Sequence, residues 1–314
     1  MYGQFFILFG LILVGYYCNK KGYLPMETNK NVGNMVMRVT IPAMLITTIA
    51  GIEITDRVLK AFLFSAAGQA AMMVVFGFLM RQYGRKRGLD SRLLPMLDLT
   101  AGSLNTGFIG LPVTMIFFGQ AGIYMSAGVL ALNLYLWSYG VYLISDKKVT
   151  GAAAIGKSFL QGAINPNCIS ILLGLLLAVT HTARFVPTVV LGFLTKVGDL
   201  STPLSLIYIG ALAGGSGIVQ LFKEKMALEI SVVKMIGMPA LAILAMLFIP
   251  ADGLAKSVFL LSVCMPSAAV VPMMVGRYGY GDKMSSDIVL WTTVLSMATL
   301  PLSVLLAAKL YGAV

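Results

Sequence analysis

The stretch Asn105-Thr106-Gly107-Phe108-Ile109-Gly110-Leu111-Pro112 interrupts an apolar run long enough to cross a bilayer. Asn, Thr, two glycines and a proline each weaken a helix, through side-chain competition, backbone freedom or a missing N–H. In hydrocarbon no water is at hand to bond the freed backbone groups. A break at membrane depth is therefore tolerated where it is covered by protein or faces a cavity.

The rest of the chain fits a membrane setting. It is 58% hydrophobic and 11% charged, with a mean hydropathy of +0.89, whereas soluble domains carry ~25% charge. A net charge of +11 would suit nucleic acid, but the basic residues cluster in short loops between apolar segments, which is a topology signal. Cys18, Cys168 and Cys264 all fall in apolar stretches without the spacing of a metal site or disulfide framework. The lone His181 sits by a loop and reads as a surface residue. No cofactor, metal or nucleic acid is expected.

A span needs ~20 mostly apolar residues. Ten are expected, at 3–18, 29–50, 58–82, 93–118, 121–144, 165–182, 186–212, 226–249, 254–279 and 284–312. Residues 2–18 lack a positive n-region and a small-residue cleavage site, so they read as a short first span. The loops after odd-numbered spans carry 15 Lys and Arg, the opposite side 5, and Arg38, Lys196 and Lys234 lie inside spans. That bias puts the first set in the cytoplasm and both termini outside.

Prolines 25, 42 and 112 recur as 187, 203 and 272, at offsets of 162, 161 and 160. Each pair occupies the same place in the helix order. Five helices per half is an odd number, so the second half enters the membrane upside down. The expectation is an all-α polytopic membrane protein, a 5+5 inverted repeat of residues 1–144 and 165–314 joined by a short cytoplasmic linker at 145–164. This plan is typical of secondary transporters.

The partner of the first break is Met265-Pro266-Ser267-Ala268-Ala269-Val270-Val271-Pro272, in the ninth span. If both unwind near the midplane, two half-helix N-termini point at one place, where their dipoles favour an anion. Each end contributes ~0.3–1 kcal/mol in water and up to ~2 when partly buried. Asn105, Thr106 and Ser267 can add neutral hydrogen bonds.

Asn105 through Gly110-Leu111-Pro112 resembles the fourth-helix motif of the auxin efflux carrier family, which includes plant PIN exporters and bacterial organic-acid permeases. Leu132-Asn133-Leu134-Tyr135-Leu136-Trp137-Ser138 is similar to that family's fifth helix. Met265–Pro272 with Tyr278-Gly279-Tyr280 resembles its ninth, and Ser286–Leu290 with Leu300-Pro301 its tenth. The short segment 145–157 is similar to bacterial members. The resemblance implies two crossed helices, an anionic substrate at the crossing and an elevator-like movement. Spans 1, 2, 6 and 7 would form a scaffold, and spans 3–5 and 8–10 would move. It implies a carboxylate site of Asn105, Thr106, Gly107, Ile109, Pro112, Asn133, Ser138, Pro266, Ser267 and Pro272. Plant exporters carry an aromatic residue at the position of Ser138, so a smaller carboxylate is favoured here.

Intramembrane charges cost ~2.5–3.5 kcal/mol each at a helix centre on insertion scales. The candidates are Arg38, Asp98, Lys196, Asp199, Glu229 and Lys234. Arg38 and Asp199 are repeat equivalents, and Lys196 and Asp199 have the spacing of a helical ion pair. Asp98 and Asp199 are candidate proton carriers, with a structural ion pair as the alternative. Asp56 and Lys60 resemble an acid–base pair of plant members and equally suit a surface helix pair. The string Gly279-Tyr280-Gly281-Asp282 matches an intramembrane aspartyl protease motif, but Asp282 falls in a loop. The twenty methionines read as pliable packing, and Arg85-Lys86-Arg87 as a topology signal that also suits anionic lipid.

The reading is a carrier of small organic anions in a bacterial inner membrane, with a small carboxylate, membrane lipid and a second copy of the chain as partners. The rivals are a sodium-coupled carrier of the bile-acid-transporter type, and an anion channel or receptor-like module on the same fold.

Overall fold

The computed structural model describes residues 2–144, 164–215, 224–277, 279 and 281–312, and the expected linker lies almost wholly outside them. Among the described residues there is no strand. Seven helical runs are long and apolar enough to cross a membrane: Met26–Ala50, Asp56–Lys86, Leu94–Phe118, Gly122–Ile144, Thr188–Gly215, Lys225–Phe248 and Lys283–Tyr311. Shorter apolar helices cover Phe6–Lys20, Pro166–Val179 and Gly253–Val263, where the first, sixth and ninth spans were expected.

The individual helices are α1 (Tyr2–Lys20), α2 (Met26–Met35), α3 (Ile41–Ala50), α4 (Asp56–Lys86), α5 (Leu94–Gly102), α6 (Leu111–Phe118), α7 (Gly122–Leu134) and α8 (Val141–Ile144). After the linker come α9 (Pro166–Val179), α10 (Thr188–Asp199), α11 (Ser201–Gly215), α12 (Lys225–Phe248), α13 (Gly253–Val263), α14 (Val271–Arg277) and α15 (Asp282–Tyr311).

Prolines shape several of these junctions. Pro42 and Pro112 each lie in the first turn of an α-helix, behind a widened π-type turn at Val36–Thr40 and Thr106–Gly110. A proline ring clashes with the carbonyl four residues back and offers no N–H. A wider turn moves that carbonyl aside. The fourth span therefore opens not at Pro112 but upstream, at Ser103–Asn105, where α5 stops and the chain extends. The ninth opens over 264–270, between α13 and α14.

Ion pairs and close approaches fix which helix ends share a side. Arg87 pairs with Glu229 over 2.6 Å and Lys283 with Glu224 over 2.9 Å, joining the end of α4 to the starts of α12 and α15. Arg57 pairs with Asp252 at the opposite side. The first side also carries Lys20, Lys86 and Lys225, so the bundle has one basic end. Helices α1 and α11 pack backbone to backbone: a Cβ on Gly15 would lie 2.0 Å from the Ile207 carbonyl oxygen, and one on Gly210 1.9 Å from that of Ile12. Apolar side chains such as Phe6, Leu13, Leu172, Val189 and Phe193 point outward, as a lipid-facing surface permits.

Candidate functional site

The two unwound segments run past each other as a short antiparallel pair. Asn105 N–H donates to the Pro266 carbonyl over 2.8 Å. Ala268 N–H donates to Ser103 Oγ over 3.1 Å. Ser267 N–H donates to Thr292 Oγ1 over 3.1 Å, which ties the pair to α15. Backbone groups freed by the breaks thus find partners across the crossing, as a dry environment demands. Lys234 of α12 reaches the same point. Its Nζ donates to the Ser103 carbonyl and, over 3.0 Å, to Ser267 Oγ. It is completely buried.

Beyond the crossing each chain re-enters a helix. Asn105 Oδ1 accepts from Phe108 N–H over 3.3 Å, capping the turn that leads into α6. Thr106 Oγ1 is buried there without a partner. Phe108 stacks on Tyr208 of α11, with ring centroids 5.1 Å apart and planes 19° apart. Tyr208 is held in turn: its carbonyl accepts from Asn29 Nδ2 over 3.1 Å, and its ring lies against Gly33.

A cavity of about 620 Å³ opens beside this ring pair, towards the basic end. Its wall combines Lys30, Asn34 and Arg38 with Tyr208 on one side and Phe108 and Val270 on the other. A second cavity of about 420 Å³, walled by Thr47, Met115, Thr195, Asp199 and Thr202 among others, opens towards the opposite end.

A separate polar cluster lies behind the crossing. Asp98 of α5 is fully buried; Oδ2 accepts from Tyr139 over 3.0 Å, its backbone carbonyl accepts from Tyr135, and Oδ1 has no partner. Gly77 of α4 makes room for it, since a Cβ there would lie 2.4 Å from Asp98 Oδ1.

The expected site residues divide between these places. Asn105, Thr106, Gly107, Ile109, Pro266 and Ser267 are buried at the crossing, with Pro112 and Pro272 in the first turns of α6 and α14. Asn133 and Ser138 make hydrogen bonds of their own: Asn133 Oδ1 accepts from Asn165 over 3.0 Å, and Ser138 donates to the Leu134 carbonyl. Arg38 borders the larger cavity and Asp199 the smaller. Two expected pairs do not form. Lys196 and Asp199 are both exposed, as are Asp56 and Lys60, and no ion pair joins either couple among the described residues. Exposed pairs gain little over hydration, and near Lys60 it is Arg57 that finds a carboxylate, that of Asp252.

Lys234 was legible as an intramembrane charge but not as a member of the site. Lys30, Phe108 and Tyr208 carry no local signal, because the cavity exists only once distant helices meet. Among the described residues no three His, Cys, Asp or Glu gather as a metal ion would need.

A family model described as membrane transport protein matches residues 1–304. A protein of Methanothermobacter thermautotrophicus described as an uncharacterized transporter is 26% identical over 300 residues, covering 93% of each chain. A second uncharacterized transporter, from Methanocaldococcus jannaschii, is 25% identical over 300 residues, covering 93% of this chain and 94% of its own.

Proposed function

The chain belongs to the membrane transport protein family of the auxin efflux carriers, as a multi-pass membrane transporter and not an enzyme, and we propose that it is a secondary carrier of small organic anions. The observation that carries this reading is the cavity at the crossing. Lys30 and Arg38 stand in its wall, and Phe108 and Val270 bring it to the starts of both half-helices. Cationic side chains and the positive dipole ends of half-helices suit a carboxylate. Its volume of about 620 Å³ admits a mono- or dicarboxylate with its water. Asn105, Thr106 and Ser267 would supply neutral hydrogen bonds next to it, and the buried, unpartnered Thr106 Oγ1 is an acceptor and donor in waiting.

The movement we propose is an elevator. Both cavities lie on the seam between α1–α3 with α9–α11, the scaffold, and α4–α8 with α12–α15, the moving part. The larger cavity's Asn34, Met37, Arg38 and Tyr208 convert, by an offset of 161 in either direction, into Thr195, Gly198, Asp199 and Thr47 of the smaller one. Two repeat-related cavities at opposite ends are what an inverted 5+5 repeat and alternating access call for. The basic end would face the cytoplasm, leaving the termini outside the cytoplasmic membrane. Asp98, buried in the moving part, would carry a coupling proton. Lipid and a second copy of the chain are the remaining proposed partners.

Thermal-shift screening of the purified protein against malate, malonate, lactate and indole acetate tests the reading. Saturable stabilisation by at least one acid, followed by counterflow of that acid in proteoliposomes, is expected. Fast conductance without counterflow would make the protein a channel.

A further inference from the structure

Lys234 poses a chemical question that anion transport leaves unanswered. Among the described residues, the fully buried Asp, Glu, Lys and Arg are Asp98 and Lys234 alone, and no ion pair there reaches Lys234. Its Nζ is held instead by neutral oxygens, the Ser103 carbonyl and Ser267 Oγ. Ser103 follows the last residue of α5, so its carbonyl lies at the negative end of a helix. Ser267 lies in the segment that follows the C-terminal end of α13. Unwound carbonyls and hydroxyls at half-helix C-termini are the groups with which carriers of this kind of architecture hold a monovalent cation.

We propose that the Lys234 amino group is a tethered cation filling a monovalent-cation position at the crossing, so that this carrier works without sodium. The oxygens that Na⁺ would need are already engaged by the lysine. Lys234, Ser103 and Ser267 all belong to the same side of the seam, so the tether travels with the crossing and is never released. An exchangeable ion would leave at each cycle and couple transport to its gradient; a covalently attached one cannot. The occupied cation position rests on the crossing alone and stands whether or not a carboxylate fills the neighbouring cavity, whereas its consequence for coupling rests on the carrier proposed above.

The test uses the full-length purified protein, unfolded thermally at constant ionic strength in NaCl, KCl or N-methylglucamine chloride. The wild type is expected to melt at one temperature in all three. Lys234→Ala vacates the position and is expected to gain a saturable, Na⁺-specific rise of about 3 °C at ~10 times the dissociation constant. Methylammonium is expected to substitute for the missing amine. Lys234→Met, which fills the space with a side chain that cannot donate, is expected to stay indifferent to all cations. A folded Lys234→Ala that melts identically in the three salts overturns the proposal. Should that variant not fold, ²²Na⁺ binding to the wild type decides: absence of saturable binding at millimolar Na⁺ supports the tether, and saturable binding overturns it.

Discussion

The N–H of Asn105 meets the carbonyl of Pro266 over 2.8 Å, so the two broken spans are joined main chain to main chain. Side-chain changes at Asn105 leave that bond in place. Asn105→Ala removes the cap on Phe108 N–H, a loss of about 1 kcal/mol, together with the amide nearest the half-helix start. The variant is expected to fold, to melt a few degrees lower and to lose stabilisation by the acid that stabilises the wild type. Undiminished ligand stabilisation in Asn105→Ala would remove Asn105 from the site.

The stack of Phe108 on Tyr208 spans the proposed seam, so the proposed sliding would break it. An aromatic pair contributes ~0.5–1.5 kcal/mol beyond its buried area, and removing it destabilises only the state that contains it. Tyr208→Ala is expected to shift the population away from this state by roughly 2- to 10-fold, and Tyr208→Phe hardly at all. A cysteine replacing Ala269, on the wall of the larger cavity, reads this as a slower rate of labelling from the basic end. Equal rates in the two variants would show that the stack is no gate.

How much of this was legible beforehand depends on the range of the interaction. The breaks at Asn105 and Ser267 were visible because Gly, Pro and Asn act locally. The stretch Asn105–Pro112 reads as the break, and the chain opens at its front edge, Ser103–Asn105, because a π-type turn absorbs the proline at the other end. Spacing suggested Lys196 with Asp199 and Asp56 with Lys60, but hydration outweighs such pairing on an exposed face. Glu229 found Arg87, 142 residues away in sequence, which no local pattern announces. Lys234 shows the same limit: its charge was visible, whereas its partners in the two unwound segments were not.

Asp98 is buried, with Tyr139 on one carboxylate oxygen and none on the other, and Arg81 of α4 is a charged group whose field reaches it without forming an ion pair. A proton on the free oxygen would relieve a buried charge that Arg81 offsets only at a distance, and Asn reproduces that neutral form. Asp98→Asn is expected to fold and to retain exchange of labelled substrate while losing any response of net uptake to a pH gradient. Wild-type uptake that ignores the gradient would end the role of Asp98 in coupling.

The α1–α11 contact leaves no room for side chains at Gly15 or Gly210. A methyl group at either must push the two backbones apart, at about 1–3 kcal/mol. Gly210→Ala is expected to lower the melting temperature by several degrees without altering ligand-induced stabilisation, since the contact lies within the proposed scaffold. Gly10→Ala, where a Cβ meets open space, is the matched control and is expected to melt like the wild type.

Asp252 gives the protein a pH dependence of defined sign. Partial burial pushes its carboxyl up, but the hydrogen bond and charge of Arg57, with the N–H groups of Ala255 and Leu254, outweigh this and hold it below the usual carboxylate value. A carboxylate whose folded pKa is depressed stabilises above its unfolded value, ~3.9, and that stabilisation is lost as pH falls through the folded value. The gain is small and salt-sensitive, because Arg57 is exposed. Asp252→Asn keeps a capping oxygen for α13 and removes only the charge. It is expected to melt below the wild type at pH 7 in low salt, with the gap closing below about pH 4 and in high salt. A gap that persists at low pH would assign the effect to packing and not to the ion pair.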